Sequence, residues 1–246
     1  MVFMSLGRHR RAWEDLGRVD PLWAVLSSAT RRHGRWNPAE FFATGDADIA
    51  ALMQSAEKLD LPRQRRVVLD FGCGVGRLTR ALASHFEEYI GVDISEPMVA
   101  QAREWNQDCT RCRFILNTSG DLRTFESASV DLIYTKYVLQ HLHSKAVVRA
   151  YLSDFVRILR PGGLLAFQLP SRIGLLHRIQ PRHRLYTLLR SVGVSERFLL
   201  GRLELTPMQM RSMSEADVTK FIASLGAVVV RVEHGSDLDQ VYYVTH

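Results

Sequence analysis

The stretch VVLDFGCGVGRLTRAL, residues 67–82, constrains the fold more than any other. Five mostly apolar residues run straight into a glycine turn, and the turn runs straight into a helical repeat. So short and apolar a strand, polar only at Asp70, reads as buried on both faces. YIGVD repeats the strand signal, and a helix opened by Ser95 with Pro97 in its first turn follows it. Strand and helix in this alternation build a parallel sheet covered by helices, because parallel neighbours need a crossover.

The alternation continues through residues 113–117 (RFILN) and 130–135 (VDLIYT), read as strands three and four. Lys145–Leu159 is an amphipathic helix, with Val148, Tyr151, Leu152 and Phe155 on one face. RPGG stops it, and GLLAFQLP gives a fifth strand. Ser214 and Asp217 open a last helix that Gly226 closes. AVVVRVEH and QVYYVT are then joined by GSDLD, too short for a crossover, so they form an antiparallel hairpin. The expected fold is α/β: a Rossmann-like seven-stranded sheet, mostly parallel with an antiparallel terminal strand, with helices on both faces. Residues 1–60 are expected to be an N-terminal helical lid or cap, although Ile49, Leu52, Met53, Ala56 and Leu59 already keep core-facing helical spacing. Residues 61–246 form the main domain, with an insertion at 172–212.

Gly72, Gly74 and Gly76 allow a tight turn and let a ligand approach where a Cβ would collide. The helix behind them offers unpaired N–H groups and a positive dipole end. Asp93 ends the second strand, where a carboxylate can accept from both hydroxyls of a ribose. A dinucleotide site would want G-x-G-x-x-G, whose third glycine falls on Arg77. Asp70 before the first glycine also opposes a pyrophosphate and suits a ligand with an ammonium group.

VVLDFGCGVGRLTRAL, GVDIS, SVDLIYTKYVLQHL and LRPGGLLAFQLP resemble the successive motifs of class I S-adenosylmethionine (SAM)-dependent methyltransferases. The resemblance implies SAM as cofactor. Asp70, Gly72 and Gly74 would hold its methionine part, with Gly76 completing the loop; Asp93 would bind its ribose and Ile94 would pack on adenine. Asp121 would accept from the adenine amine and Leu122 would offer its backbone N–H. Asn117, Thr118 and Ser119 compete for that role, because NTSGDL is longer than the common family form. Thr135 and Lys136 would face the methionine end or the acceptor. The implied activity is methyl transfer to oxygen or nitrogen of a small molecule; the alternatives are RNA or protein methylation, or a non-catalytic SAM-binding protein.

Candidates for proton transfer cluster in TKYVLQHLHS, beyond the carboxyl end of strand four, where open α/β sheets bind ligands. His141 is the candidate general base, since an ordinary imidazole titrates near pH 6.5. Tyr137 is the second catalytic candidate, and His143 a candidate pocket wall. A loop-bracing histidine is the competing reading for His141. Cys109 and Cys112 have the spacing of a zinc half-site, but no further ligands complete it, so no metal is expected. Cys112 is instead expected to be buried at the start of strand three. Three cysteines make no disulfide framework, which suits a cytoplasmic setting.

The net charge is +6, but no aromatic-plus-basic signature accompanies it, so no nucleic acid is expected as partner. No run nears the roughly 20 apolar residues of a membrane span, and the first residues lack the apolar core of a signal peptide. From Arg172 to Arg202 seven arginines stand against one acid, Glu196, with leucines between them. That segment reads as a solvated lid, a contact for an acidic acceptor, or a segment lying on a membrane surface to collect a lipid-like substrate. Residues 36–45, WNPAEFFATG, are expected to close over the site opposite it, with Thr44–Gly45 as a flexible pair. The bland reading is that Trp36, Phe41 and Phe42 pack a helix onto the sheet.

Overall fold

The computed structural model describes residues 2–235 and 238–246, with side chains from Leu6 onward. Ser236 and Asp237 of the GSDLD connector lie outside the described residues. The strands are β1 (Val67–Phe71), β2 (Glu88–Asp93), β3 (Cys112–Leu116), β4 (Val130–Thr135), β5 (Leu159–Gln168), β6 (Val228–His234) and β7 (Gln240–Thr245). They form one seven-stranded sheet in the order β3-β2-β1-β4-β5-β7-β6. The first five run parallel, and β7 is antiparallel to both its neighbours. Strand order reverses beside β1, so the crevice at the carboxyl ends of β1 and β4 is the switch point where such sheets take ligands.

Alternation along each strand assigns its residues to two layers. Val68, Leu132 and Leu164 join Ile49, Leu52 and Met53 of α3 (Pro38–Lys58) and Leu78 and Leu82 of α4 (Arg77–Leu82). Leu69, Ile133 and Leu165 join Leu152 and Phe155 of α6 (Lys145–Ile158) and Val218 and Ile222 of α10 (Glu215–Ser224). α5 (Glu96–Trp105) packs Val99 and Ala102 on Phe114 of β3.

Several expectations shift. Helix α3, inside the predicted cap, belongs to the sheet's own layer, and its N-terminus is capped by Asn37, whose side chain accepts from Glu40 N. Thr44 and Gly45 sit inside α3 rather than at a hinge; a Cβ on Gly45 would lie 2.5 Å from Arg77 O, so glycine lets α3 cross the start of α4. Trp36, Phe41, Phe42 and Trp105 form a chain of edge-to-face rings 5.5–5.8 Å apart, so residues 36–45 pack the helix instead of closing over the site. RPGG, expected as a turn, is taken into the start of β5, with Gly162 at φ 73°. Cys109 and Cys112 are disulfide-bonded at the start of β3, where no bridge was expected; Cys112 is half-buried rather than buried, and Cys73 is the free, buried cysteine.

The cap is a two-piece layer. Helices α1 (Val2–Val19) and α2 (Pro21–Val25) pack with α8 (Pro181–Ser191) and α9 (Glu196–Gly201), while α7 (Leu175–Ile179) buries none of its residues. Leu16, Trp23, Tyr186, Leu199 and Leu200 share one apolar cluster with Val75 of the glycine loop. Buried Asp15 accepts from the Tyr186 hydroxyl at 2.9 Å and from Arg190 Nε at 3.1 Å, tying α1 to α8. Among the described residues no helix is long and apolar enough to cross a membrane.

Candidate functional site

The turn after β1 is built by glycines with different duties. A Cβ on Gly76, at φ 84°, would lie 2.7 Å from Asn106 Nδ2 and 2.8 Å from the Phe114 ring, below the loop. A Cβ on Gly72 would strike Val138, and one on Gly74 would meet only Val25 of α2, at 2.6 Å. Gly72 and Gly74 line a cavity, while Gly76 packs against Asn106 and Phe114.

Asp93 sits at the rim of that cavity. Its Oδ2 accepts from Gly74 N at 2.9 Å and its Oδ1 from Ser95 N at 2.8 Å. Burial raises its pKa, and the backbone N–H groups of Ser95, Gly74 and Ile94 oppose that rise. A carboxylate has about four lone-pair sites, so two backbone bonds leave acceptor capacity for a diol. Val92, Ile94, Met98 and Asn117 complete the wall beside it. A nucleoside fits this arrangement: a glycine face that a Cβ would fill, a carboxylate with spare lone pairs, and an apolar slot for a ring.

The other predicted cofactor residues fall elsewhere. Asp70 is buried beneath the loop and accepts from the Thr79 hydroxyl at 2.7 Å; burial lifts its pKa to about 6. The Leu122 N–H, expected to face adenine, donates to Asp154 at 3.0 Å, and its side chain is core. Asp121 accepts from Ser119 and pairs with Arg123, while Asn117 is the residue of NTSGDL that reaches the cavity. Thr135 is fully buried within the sheet, its hydroxyl without a partner. Lys136 does line the cavity, its Nζ held 2.7 Å from Asp48 of α3; the same carboxylate binds Arg77, also at 2.7 Å.

His141 is not placed as a base. Its Nδ1 donates to Gln209 O, so its Nε2 accepts from Gln140 Nε2 at 3.1 Å, and Gln140 in turn accepts from Gln168 at 3.2 Å. Both ring nitrogens are used, burial pushes the imidazole down to about 4, and the ring does not line the cavity. It braces the insertion onto the turn after β4. Tyr137 does line the cavity, in the left-handed region at φ 61° with its N–H donating to Gln168 Oε1 at 3.1 Å. Burial lifts its phenol to about 12, which keeps it a donor at neutral pH.

Leu6, His9 and Trp13 of α1 form the opposite wall of the cavity. In sequence His9 is masked by the basic run RHRR; the signal that marks these residues is the three-and-four spacing Leu6, His9, Trp13, Leu16. His9 is buried beside His143, with ring centroids 6.1 Å apart; burial first, then the neighbouring His143, His141 and His183, push its pKa down to about 3. His9 and His143 also line a second cavity of about 490 Å³ together with Arg8, Arg11, His183 and Arg190. The first cavity holds only about 90 Å³, well under the roughly 300 Å³ at the small end of ligand pockets, because side chains of α1 and α2 lean into it. Among the described residues no cluster of ligands suits a metal ion.

Residues 69–167 match the methyltransferase domain family. The chain is 35% identical over 156 residues to a trans-aconitate 2-methyltransferase of Variovorax paradoxus, covering 61% of this chain and 54% of that protein. It is 34% identical over 140 residues to the protein of the same name from Deinococcus radiodurans, covering 55% and 50%. The chain thus spans about half the length of these relatives. In fold it is similar to magnesium protoporphyrin IX methyltransferase of Synechocystis, with TM-score 0.61 and 20% identity over 98% of this chain and 97% of that one. It also resembles phosphoethanolamine N-methyltransferase 1 of Haemonchus contortus, with TM-score 0.63 and 15% identity over 98% and 48%. The domain match over residues 69–167 and these likenesses, with the glycine loop, the acid at the tip of β2 and the sheet order, support a class I SAM-dependent methyltransferase.

Proposed function

We propose that the protein binds SAM between the glycine loop and α1 and methylates a carboxylate oxygen of a small acidic molecule. The observation that carries this reading is the second cavity, whose arginines and histidines adjoin the cofactor site through His9 and His143. The substrate in the relatives' name, trans-aconitate, is a tricarboxylate, which agrees with a basic acceptor site.

SAM supplies an electrophilic methyl on a sulfonium. The chain supplies placement. Asp93 holds the ribose through its spare lone pairs, and Gly74 admits the methionine tail. Arg8 and Arg11, exposed and without an ion pair among the described residues, attract the acceptor, while Arg190 and His183 border it. A carboxylate is already ionised at neutral pH, so alignment and exclusion of water supply the rate without proton removal. This suits a site where His141 is tied at both nitrogens, Tyr137 keeps its proton and His9 is a very weak base. We place the reaction in the cytoplasm as part of the same reading.

The test supplies SAM with di- and tricarboxylic acids and follows S-adenosylhomocysteine and product mass. A methyl ester that mild alkali hydrolyses is expected. Turnover with phenols, amines or nucleic acid but not with carboxylic acids would overturn the acceptor class; S-adenosylhomocysteine that fails to bind in calorimetry would overturn the cofactor site as well.

A further inference from the structure

Most of the exposed large apolar side chains among the described residues lie in the insertion. Leu175, Leu176, Leu188 and Val192 are 69%, 74%, 61% and 71% exposed, and Ile179, Leu185 and Phe198 are also open. On α8 the pattern separates cleanly. Tyr186 and Leu189 turn inward to the cap cluster, while Leu185, Leu188 and Val192 recur at three-and-four spacing on a second, outer face. A solvated helix needs no such stripe, and scattered exposed leucines would not line up.

Charge on the same segment is one-sided. Arg172, Arg178, Arg182, Arg184, Arg197 and Arg202 are exposed and make no ion pair or side-chain hydrogen bond among the described residues. The acid within the segment, Glu196, is taken by Arg190 at 3.1 Å. An apolar stripe flanked by unneutralised arginines matches the boundary of an anionic bilayer, where apolar side chains enter the acyl edge and guanidinium groups meet phosphates.

We propose that the outer face of residues 175–203 docks on an anionic lipid surface. The docking is peripheral, and it is independent of the acceptor class assigned above. Co-sedimentation with vesicles of phosphatidylglycerol and phosphatidylcholine, against phosphatidylcholine alone, reads it. The intact chain is expected to partition at least tenfold more strongly onto the anionic vesicles, less so as salt is raised. Leu175→Ser/Leu176→Ser/Leu188→Ser should lower that partitioning at least tenfold. Arg182→Gln/Arg184→Gln, on exposed positions that leave folding intact, should also lower it more than tenfold, at roughly fivefold per charge. Both variants should keep the parent's thermal melting and S-adenosylhomocysteine affinity. Failure of the parent chain to bind anionic vesicles overturns the proposal, and equal binding to both vesicle types overturns its anionic part. A dimer in sedimentation that the triple leucine variant abolishes also overturns it, since the face then belongs to a second copy of the chain.

Discussion

Across the first cavity, the loop wall and the cap wall are held by opposite kinds of contact. On the loop side Asp93 binds Ser95 N, two residues away, and Gly74 N, 19 residues away, both within one β-α-β unit. On the cap side α1 is fixed by Asp15 to Tyr186, 171 residues away, and by a small apolar cluster. The loop wall rests on strands whose apolar residues Val68, Leu69, Leu132 and Ile133 are fully buried. The cap wall carries a buried histidine and exposed leucines. Local stability follows contacts of this sort, so the cap should open while the sheet stays closed. A cavity of about 90 Å³ also requires that opening before a nucleoside enters.

The largest expected effect belongs to the loop wall. Asp93→Ala removes the acceptor for the ribose, with charge-assisted bonds worth roughly 1.5–3 kcal/mol each. Allowing for replacement by water, S-adenosylhomocysteine affinity in calorimetry should fall about ten- to a thousandfold. An unchanged affinity would break the comparison at its firmest point. Next come the two glycines. Gly76→Ala places a Cβ into Asn106 and Phe114 at φ 84°, and should cost about 2–3 kcal/mol in denaturant unfolding. Gly74→Ala, at φ 53°, meets only the Val25 side chain, so it should lose affinity at least tenfold with a smaller stability loss of about 1 kcal/mol. Equal stability losses for the pair would show that the two glycines do not divide packing from binding.

Acid should loosen the cap before the sheet. His9 is held down to about 3 in the folded protein, against the ordinary 6.5. Above pH 6.5 it is neutral in both states and its burial carries no proton penalty. Below that, the unfolded chain takes a proton that the folded one refuses, and stability falls by up to about 1.4 kcal/mol per pH unit toward pH 3. By pH 5 the loss is about 2 kcal/mol on the same basis. His141, down to about 4, acts with the same sign. Hydrogen-exchange protection should therefore drop in α1 between pH 7 and 5 while β1 and β4 hold theirs, and His9→Asn should flatten the dependence. A uniform loss across both regions would contradict separate opening. The smallest effect is Val25→Ala. Trimming the side chain that leans on Gly74 should cost about 1 kcal/mol of stability yet tighten S-adenosylhomocysteine several-fold; weaker binding would mean that α2 grips the cofactor rather than yielding to it.

The sheet, the glycine loop and the acid at the end of β2 were legible because each is written in neighbouring residues. VVLDF followed by glycines can do little else, and a five-residue link between two β-rich runs enforces a hairpin. Spacing alone does not say which atoms a residue meets. Leu122 and Asp121 sit at the expected position, yet Asp154, more than thirty residues on, claims the Leu122 N–H. His141 lies beyond the carboxyl end of β4 as a base should, yet Gln140 and Gln209 occupy both nitrogens.

The sequence by itself determined the seven-stranded α/β core, the glycine turn and the carboxylate at the tip of β2, because periodicity and turn chemistry act over a few residues. Only the tertiary structure decided that α3 joins the sheet and that α1, with His9 and Trp13, forms the far wall of the site. It also decided that the insertion packs on α1 and turns an apolar face outward. Those outcomes depend on which side chains meet after folding, across separations such as that of Asp15 from Tyr186, and pairwise burial of that kind leaves no periodic trace along the chain.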